Sequence, residues 1–286
     1  MITAPGHYDG LPLVEYLADP CPAPSLNATT AHVLIERSPM HARWQHPKLN
    51  PGYVREESEH FDLGTAFHAL CIEGLERFEV VDAADWKTKA AQTARGEIRA
   101  RGNIPLLPPQ RHRLHEMHRA VLGSGCYYSR LGGGLAVPER TLVWTEATPR
   151  AGQVWCRARP DWVESDLVVD LKTTSASAHP AEWSRTLFST GAHLQAAMIR
   201  RAWRRLYQCE PEILFLIVET EPPYGVSLMG LDPEAQHVAD TLVDGAIVTW
   251  GRCLESGDWP GYTHRVAYAE LPPWLKTKYE IRSYYL

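Results

Sequence analysis

The sequence predicts a mixed α/β fold, a central mixed β-sheet flanked by helices, with an N-terminal helical extension. Three patterns point there. Ile213 to Glu219 (ILFLIVE) is a short, almost wholly apolar run of the kind that forms a buried strand. Leu167 to Lys172 alternates, placing Val168, Asp170 and Lys172 on one face and Leu167, Val169 and Leu171 on the other. Helix-like segments cluster ahead of these strands and recur between them, the order that stacks helices on a mixed sheet.

Taken in order, residues 1–60 are Pro-rich and irregular, with one helix expected over about 29–37 and ended by Ser38-Pro39. Asn27 or Thr29 is its natural N-cap. Leu63 to Gly74 has apolar residues at 63, 66, 67 and 70, a short helix with Gly74 as its stop. Residues 87–101 and 109–122 read as helices separated by the Pro105–Pro109 break. The turn Gly132-Gly133-Gly134 opens a β region with strands at 140–146, 153–159 and 167–172. A helical stretch over 180–207, interrupted at Gly191, leads to the 213–219 strand, and Tyr224 to Gly230 is placed to pair with it across Pro222-Pro223. No repeat or linker divides the chain. It reads as a single domain, 1–286, with an extension (1–60), a core (61–262) and a tail (263–286).

With 44% hydrophobic and 22% charged residues, the composition is that of a globular protein and excludes disordered, collagen-like and coiled-coil classes. The six cysteines (21, 71, 126, 156, 209 and 253) are dispersed, and none has the spacing of a zinc or iron–sulfur ligand set. No apolar stretch is long enough to span a bilayer, and the N-terminus MITAPGHYDG lacks the pattern of a signal peptide. The expectation is a cytoplasmic protein with reduced thiols and no membrane partner.

The net charge of −5 argues at first against a nucleic-acid binder. Its arrangement argues otherwise. Residues 87–119 carry eight Lys/Arg against Glu97 and Glu116, whereas residues 206–245 carry eight Asp/Glu and no Lys or Arg. Such polarisation can set a local, internal basic wall within an acidic exterior.

The chemistry concentrates in Arg157 to Lys172 (RARPDWVESDLVVDLK). Asp170 and Lys172 share a face at the end of an apolar strand. Asp161 ends the preceding strand, and a turn around Glu164–Asp166 would return it to Asp170. Two converging carboxylates make a hard-oxygen site suited to Mg²⁺ or Mn²⁺. An adjacent lysine can orient or deprotonate a water, or neutralise charge on a phosphoryl transition state. An edge-strand ion pair beside a turn aspartate would use the same residues. On the following helix, Gln195, Ile199, Ala202 and Leu206 share a face, so Gln195 is an amide on an apolar surface that requires a partner. Arg200, Arg201, Arg204 and Arg205 form a stripe nearly opposite, facing solvent or phosphate.

Pro160-Asp161, eight residues, then Asp170-Leu171-Lys172, followed by a Gln-bearing helix, resembles the PD-(D/E)XK nuclease superfamily. Gly64-Thr65-Ala66-Phe67-His68 is similar to the Gly-Thr-x-x-His helix of its RecB-like branch. Asp170-Leu171-Lys172-Thr173-Thr174, Gly191-Ala192-His193-Leu194-Gln195, Gly257-Asp258-Trp259-Pro260-Gly261-Tyr262 and Leu271-Pro272-Pro273-Trp274 resemble the RecE-type exonucleases of phages and prophages (the exodeoxyribonuclease VIII group). The resemblance implies that His68, Asp161, Asp170 and the main-chain carbonyl of Leu171 hold one or two divalent ions, Mg²⁺ with Mn²⁺ as a substitute, and that Lys172 positions the attacking water. Gln195 and Glu139 join the catalytic set, Glu139 by location only. The family's Gln-x-x-x-Tyr becomes Gln195 to Ile199 here, so the tyrosine hydroxyl is missing. The implied activity is 5′→3′ degradation of linear double-stranded DNA, leaving 3′ single strands for recombination by a RecT-like annealing protein. The implied assembly is a ring-shaped homo-oligomer, a trimer or tetramer, in a bacterial cytoplasm. Arg95, Arg99, Arg101, Arg111, Arg113, Arg200 and Arg204 are then the candidates for DNA contact. A restriction- or repair-type endonuclease and a non-catalytic DNA-end-binding protein are the alternatives. The intact Asp–Asp–Lys set weighs against the second, and the dispersed cysteines weigh against iron–sulfur relatives.

Overall fold

The computed structural model of the protein describes residues 2–54, 59–125, 136–149, 152–263 and 265–277. The expected Gly132–Gly134 turn and Cys126 lie outside them. The N-terminal segment is more regular than its proline content predicts: β1 (Gly6–Tyr8), α1 (Leu13–Leu17), α2 (Ala28–Glu36) and α3 (Pro39–Gln45) follow one another. Asn27 caps α2 by accepting from the Thr30 amide at 2.8 Å. Ser38 caps α3 with Pro39 in its first turn, so the proline that ends one helix begins the next.

Helix α4 (Glu59–His68) runs into a π-helical turn (Ala69–Glu73) closed by Gly74 at φ +67°. Then come β2 (Phe78–Val80), α5 (Lys89–Ala100), β3 (Ile104–Leu106) and α6 (Pro108–Gly123). Strands β2 and β3 pair in parallel, a small sheet the sequence does not announce, because strands of three residues are too short to show a period. The β region comprises β4 (Val137–Pro138), β5 (Thr141–Thr148), β6 (Gly152–Ala158), β7 (Trp162–Glu164) and β8 (Leu167–Thr174). Helices α7 (Pro180–Ser189) and α8 (Ala192–Tyr207) are separated at Gly191, whose φ of +78° breaks the helix as expected. Strands β9 (Glu212–Glu219) and β10 (Val226–Met229) precede α9 (Pro233–Ser256).

One sheet has the order β10-β9-β8-β7-β4, with β8 and β9 parallel and the other neighbours antiparallel; β1-β5-β6 forms a second, antiparallel sheet. The β7–β8 hairpin pairs Trp162 with Val169 and Glu164 with Leu167 around Ser165-Asp166. Asp161 and Asp170 stand one step beyond that ladder. The alternation along β8 decides what each residue meets. Val168 joins a core beneath α2, α8 and α9, whereas Val169 and Leu171 join a core under α4 and α6. Among the described residues no helix is long and apolar enough to cross a membrane.

Helix α9 is absent from the sequence-based order of elements, although Asp232 accepting from the Ala235 amide at 2.7 Å, Pro233 in the first turn and Gly257 at φ +70° bound it clearly. Its presence corrects the reading of Arg200. Arg200 is buried against α9, paired with Asp240 and donating to the Gln236 carbonyl at 3.2 Å; Arg204 pairs with Glu210 and Asp240. Arg201 pairs with Asp244, and Arg205 with Glu146 at 2.7 Å. Arg200 and Arg201 are thus drawn against acids on and beside α9, whereas Arg204 and Arg205 stay solvent-exposed within their ion pairs.

Candidate active site

The site is assembled where α4, the β4–β5 connection and the β7–β8 hairpin meet. Gly64 lies so close to β8 that a Cβ there would stand 3.3 Å from Thr173 Oγ1, so the glycine lets α4 approach the sheet. His68, one turn on, reaches the two acids: its Nε2 lies 3.2 Å from Asp161 Oδ1 and 3.2 Å from Glu139 Oε1. Glu139 has a φ of +54°, and its amide donates to the Asp161 carbonyl at 2.8 Å. That twist turns its side chain toward the histidine.

Arg159 holds Glu139 from behind. Its guanidinium pairs with Glu139 Oε2 and donates to the Leu11 carbonyl at 2.8 Å and to Thr141 Oγ1 at 3.0 Å. It also lies 5.5 Å from the ring centre of Tyr16. Sequence reading missed Arg159; the only available signal was its place beside Pro160-Asp161.

A second cluster adjoins the first. Asp161 Oδ2 accepts from the Leu171 amide at 2.8 Å, which links β8 to the acid in front of it. Asp170, almost wholly buried, pairs with Lys172 Nζ and accepts from Gln195 Nε2, while Lys172 donates to Gln195 Oε1 at 3.0 Å. The amide on the apolar face of α8 therefore has its partners in the strand carrying the Asp–Leu–Lys triplet. The contact of Asp170 Oδ2 with Lys172 is an ion pair without hydrogen-bond geometry, so this oxygen keeps coordinating capacity.

Burial is the largest influence on all four titrating groups, and it favours their neutral forms. At Asp170 it is reinforced by the nearby Asp161 charge and pushes the carboxyl up to about 6. At Asp161 burial is outweighed by the bond from His68 and by the charges of His68 and Lys172, which hold the carboxyl below its usual range. At His68 it is outweighed by the bond to Asp161 and by the charges of Asp161, Glu139 and Asp170, which push the imidazole up to about 9. Lys172 is held above its usual value, because Asp170 and Asp161 outweigh burial.

One imidazole nitrogen and two carboxylate oxygens, from His68, Glu139 and Asp161, lie within 4.8 Å of one another. One imidazole and two carboxylates form a donor set that fits a divalent cation preferring oxygen and accepting one imidazole, which would take the place of the imidazole proton. The expected ligands His68, Asp161, Asp170 and Leu171 fall into two adjoining groups. Glu139 stands with His68 and Asp161, whereas Asp170 lies outside that group, its oxygens drawn to Lys172 and Gln195. Leu171 enters the site through its amide. A cleft of about 310 Å³ opens on Glu139, Asp161, Arg159 and Gln195, walled by Tyr16 and His32.

Most arginines of the basic run are engaged in ion pairs. Arg95 and Arg99 reach Asp62 of α4, at 3.4 and 3.0 Å. Arg101 pairs with Glu79 at 2.6 Å, and Arg113 with Glu221 at 2.7 Å. Arg111 is exposed on α6. Four of the five arginines expected to form a basic wall thus have carboxylate partners from outside the run.

The mixed sheet, the Asp–Asp–Lys set at its centre and the Gln helix packed on it define a PD-(D/E)XK nuclease-type fold. The chain belongs to a family described as "PDDEXK-like domain of unknown function (DUF3799)", whose model matches residues 33–272. Among solved structures it is similar to one described as a "Putative exonuclease" from Eubacterium rectale, with a TM-score of 0.57 and 12% identity over 87% of this chain and 91% of that one, a likeness of fold. A second, SSO0001, aligns with a TM-score of 0.29 and 11% identity over 68% of this chain and 88% of the other. No curated protein matches the sequence.

Proposed function

We propose that this protein is a metal-dependent exonuclease that hydrolyses phosphodiester bonds from the ends of linear double-stranded DNA, with 5′→3′ polarity. The observation that carries the reading is the convergence of His68, Glu139 and Asp161 beside a lysine held by Asp170 and Gln195. A divalent cation, Mg²⁺ or Mn²⁺, would supply Lewis-acid polarisation of the phosphate and a more acidic bound water. His68, Glu139 and Asp161 would hold it, with Asp170 as the adjoining acid. Arg159 keeps Glu139 aimed at the cluster. Gln195 orients the Lys172 ammonium, which is charged at neutral pH and so placed to orient the attacking water and offset charge developing on the phosphate.

The RecE-like motifs at 170–174, 191–195, 257–262 and 271–274 support the exonuclease reading, and with it 3′ single-stranded products, a RecT-like annealing partner, a ring-shaped homo-oligomer and a cytoplasmic setting. The test is incubation of purified protein with linear blunt duplex, with and without Mg²⁺, alongside Lys172→Ala. Nucleotide release that requires Mg²⁺ and an intact Lys172 is expected, and a strand labelled at one end reports polarity. Cleavage of closed-circular DNA would replace the exonuclease reading with an endonuclease. No degradation under Mg²⁺ or Mn²⁺ would overturn both.

A further inference from the structure

The Asp170–Lys172 strand does not end at the lysine. Thr173, Thr174 and Ser175 continue from it into a groove of about 900 Å³, separate from the cleft at Glu139 and Asp161. Helices α4 and α6 wall the groove through Gly64 and Gln110. Its far end is formed by Trp86, Lys87 and Gln92, at the entry to α5. We propose that this groove binds a single DNA strand separated at a duplex end, with Trp86 stacking on a base. The proposal rests on the nuclease reading for the origin of that strand.

The chemistry of the lining selects this ligand. Hydroxyls of Thr173, Thr174, Ser175 and Thr220 and the amides of Gln92 and Gln110 offer neutral donors and acceptors, suited to phosphate oxygens and unpaired base edges. A cavity of this size is in the range of small-ligand pockets, large enough for a short run of nucleotides and too small for a duplex. Trp86 is half-buried. The Arg95 guanidinium lies over its ring at 5.2 Å, and the Gln92 amide donates to its carbonyl at 3.0 Å. Arg95 is in turn held by Asp62, on the helix that carries His68. The indole is therefore a braced platform, as stacking on unpaired bases requires. Part of the basic run thus acts as scaffolding for this platform.

Charge in the groove is balanced. Arg113 of α6 pairs with Glu221, in the turn after β9, at 2.7 Å, and Lys87 lies 3.6 Å from Asp85, both pairs solvent-exposed. Exposed pairs of this kind are weak, so a strand's phosphates can draw Lys87 and Arg113 away from their acids. Two cations predict a shallow salt dependence, with log affinity falling against log salt at a slope of about −1.4.

The test measures binding of a fluorescein-labelled oligothymidylate of about eight nucleotides by anisotropy in EDTA, where hydrolysis cannot interfere. Trp86→Ala is expected to weaken binding about tenfold, whereas Trp86→Phe, which keeps an aromatic face, loses less than about threefold. Trp44→Ala, exposed on α3 away from the groove, is the control and leaves affinity unchanged. Lys87→Gln is expected to reduce the salt slope by about 0.7. Wild-type affinity in Trp86→Ala, or no binding by the wild type, would overturn the proposal. Hydrolysis of the p-nitrophenyl ester of thymidine 5′-phosphate by the wild type with Mn²⁺ reads the nuclease site separately. Its failure would strike the nuclease reading and leave the binding result standing.

Discussion

The molecule contains two buried polar networks built from similar residues and put to opposite uses. One lies beneath the N-terminal segment. Asp19 there accepts from the Cys21 amide at 3.2 Å, the Ser25 amide at 2.8 Å and Ser25 Oγ at 2.7 Å. It also meets His46 at 3.2 Å and Arg157 at 3.3 Å. All of these groups are sealed from solvent, and one carboxylate sits among many donors. Burial opposes its charge, but bonds from His46 and Ser25 and the charge of Arg157 outweigh it and lower the carboxyl to about 2. The other network is the candidate active site. There three carboxylates crowd together, and one of them, Asp170, is forced up to about 6. In the first network the carboxylate is saturated with donors, and it holds the N-terminal segment to β6. The second crowds three carboxylates around one imidazole and is suited to a cation that takes the place of the imidazole proton. A buried acid is structural or functional according to whether its donors already satisfy it.

This contrast can be broken most sharply at Lys172. Lys172→Ala should lower hydrolysis of linear duplex about 10²- to 10⁴-fold, read as acid-soluble nucleotide, while DNA retention in a gel shift persists. Asp19→Asn should cost about 3–5 kcal/mol in urea denaturation, because it leaves Arg157 buried without its counter-charge. Asparagine tolerates the positive φ of 63° at this position, so the loss reports charge and not backbone strain.

Metal should separate the networks next. Mn²⁺ at about a hundred times its dissociation constant should raise unfolding free energy by about 2.7 kcal/mol, and Asp161→Asn should lose that response while Asp19→Asn keeps it.

Their pH dependences have opposite signs. Asp19 is lowered on folding, so its contribution is present above about 4 and is lost as pH falls toward 2. Asp170 is raised, so in metal-free protein its contribution is present below about 4 and is lost as pH rises through 6. Each aspartate-to-asparagine change should remove its own limb of the stability–pH curve, worth about 2–3 kcal/mol. The smallest effect belongs to the exposed pairs. Arg204→Ala should change stability by less than about 1 kcal/mol and leave hydrolysis unaltered.

Much of this was legible in the chain. The period of β8 placed Asp170 and Lys172 on one face and the turn near Glu164–Asp166 returned Asp161 to them, because strand geometry directs side chains by counting alone. The helix wheel singled out Gln195, and the resemblance of Gly64–His68 to the RecB-like helix singled out the histidine. Capping chemistry located α2 and the break at Gly191. Helix α9 has its own end signals at Asp232 and Gly257, but the first half of its body lies in the acidic run.

What counting could not supply was the identity of partners far along the chain. Glu139 joins the site through a left-handed backbone turn and the grip of Arg159, neither of which has a period. The two charge runs, so distinct in sequence, largely neutralise other segments: Arg200 and Arg204 meet Asp240, Arg113 meets Glu221, and Arg95 and Arg99 meet Asp62. The sequence by itself determined the strand that carries the chemistry, its turn and its facing residues, since these follow from bonds between near neighbours. Only the tertiary structure decided which carboxylates crowd together and which are satisfied singly, because a long side chain pairs with whatever charge the fold brings within a few ångströms, whatever its distance along the chain.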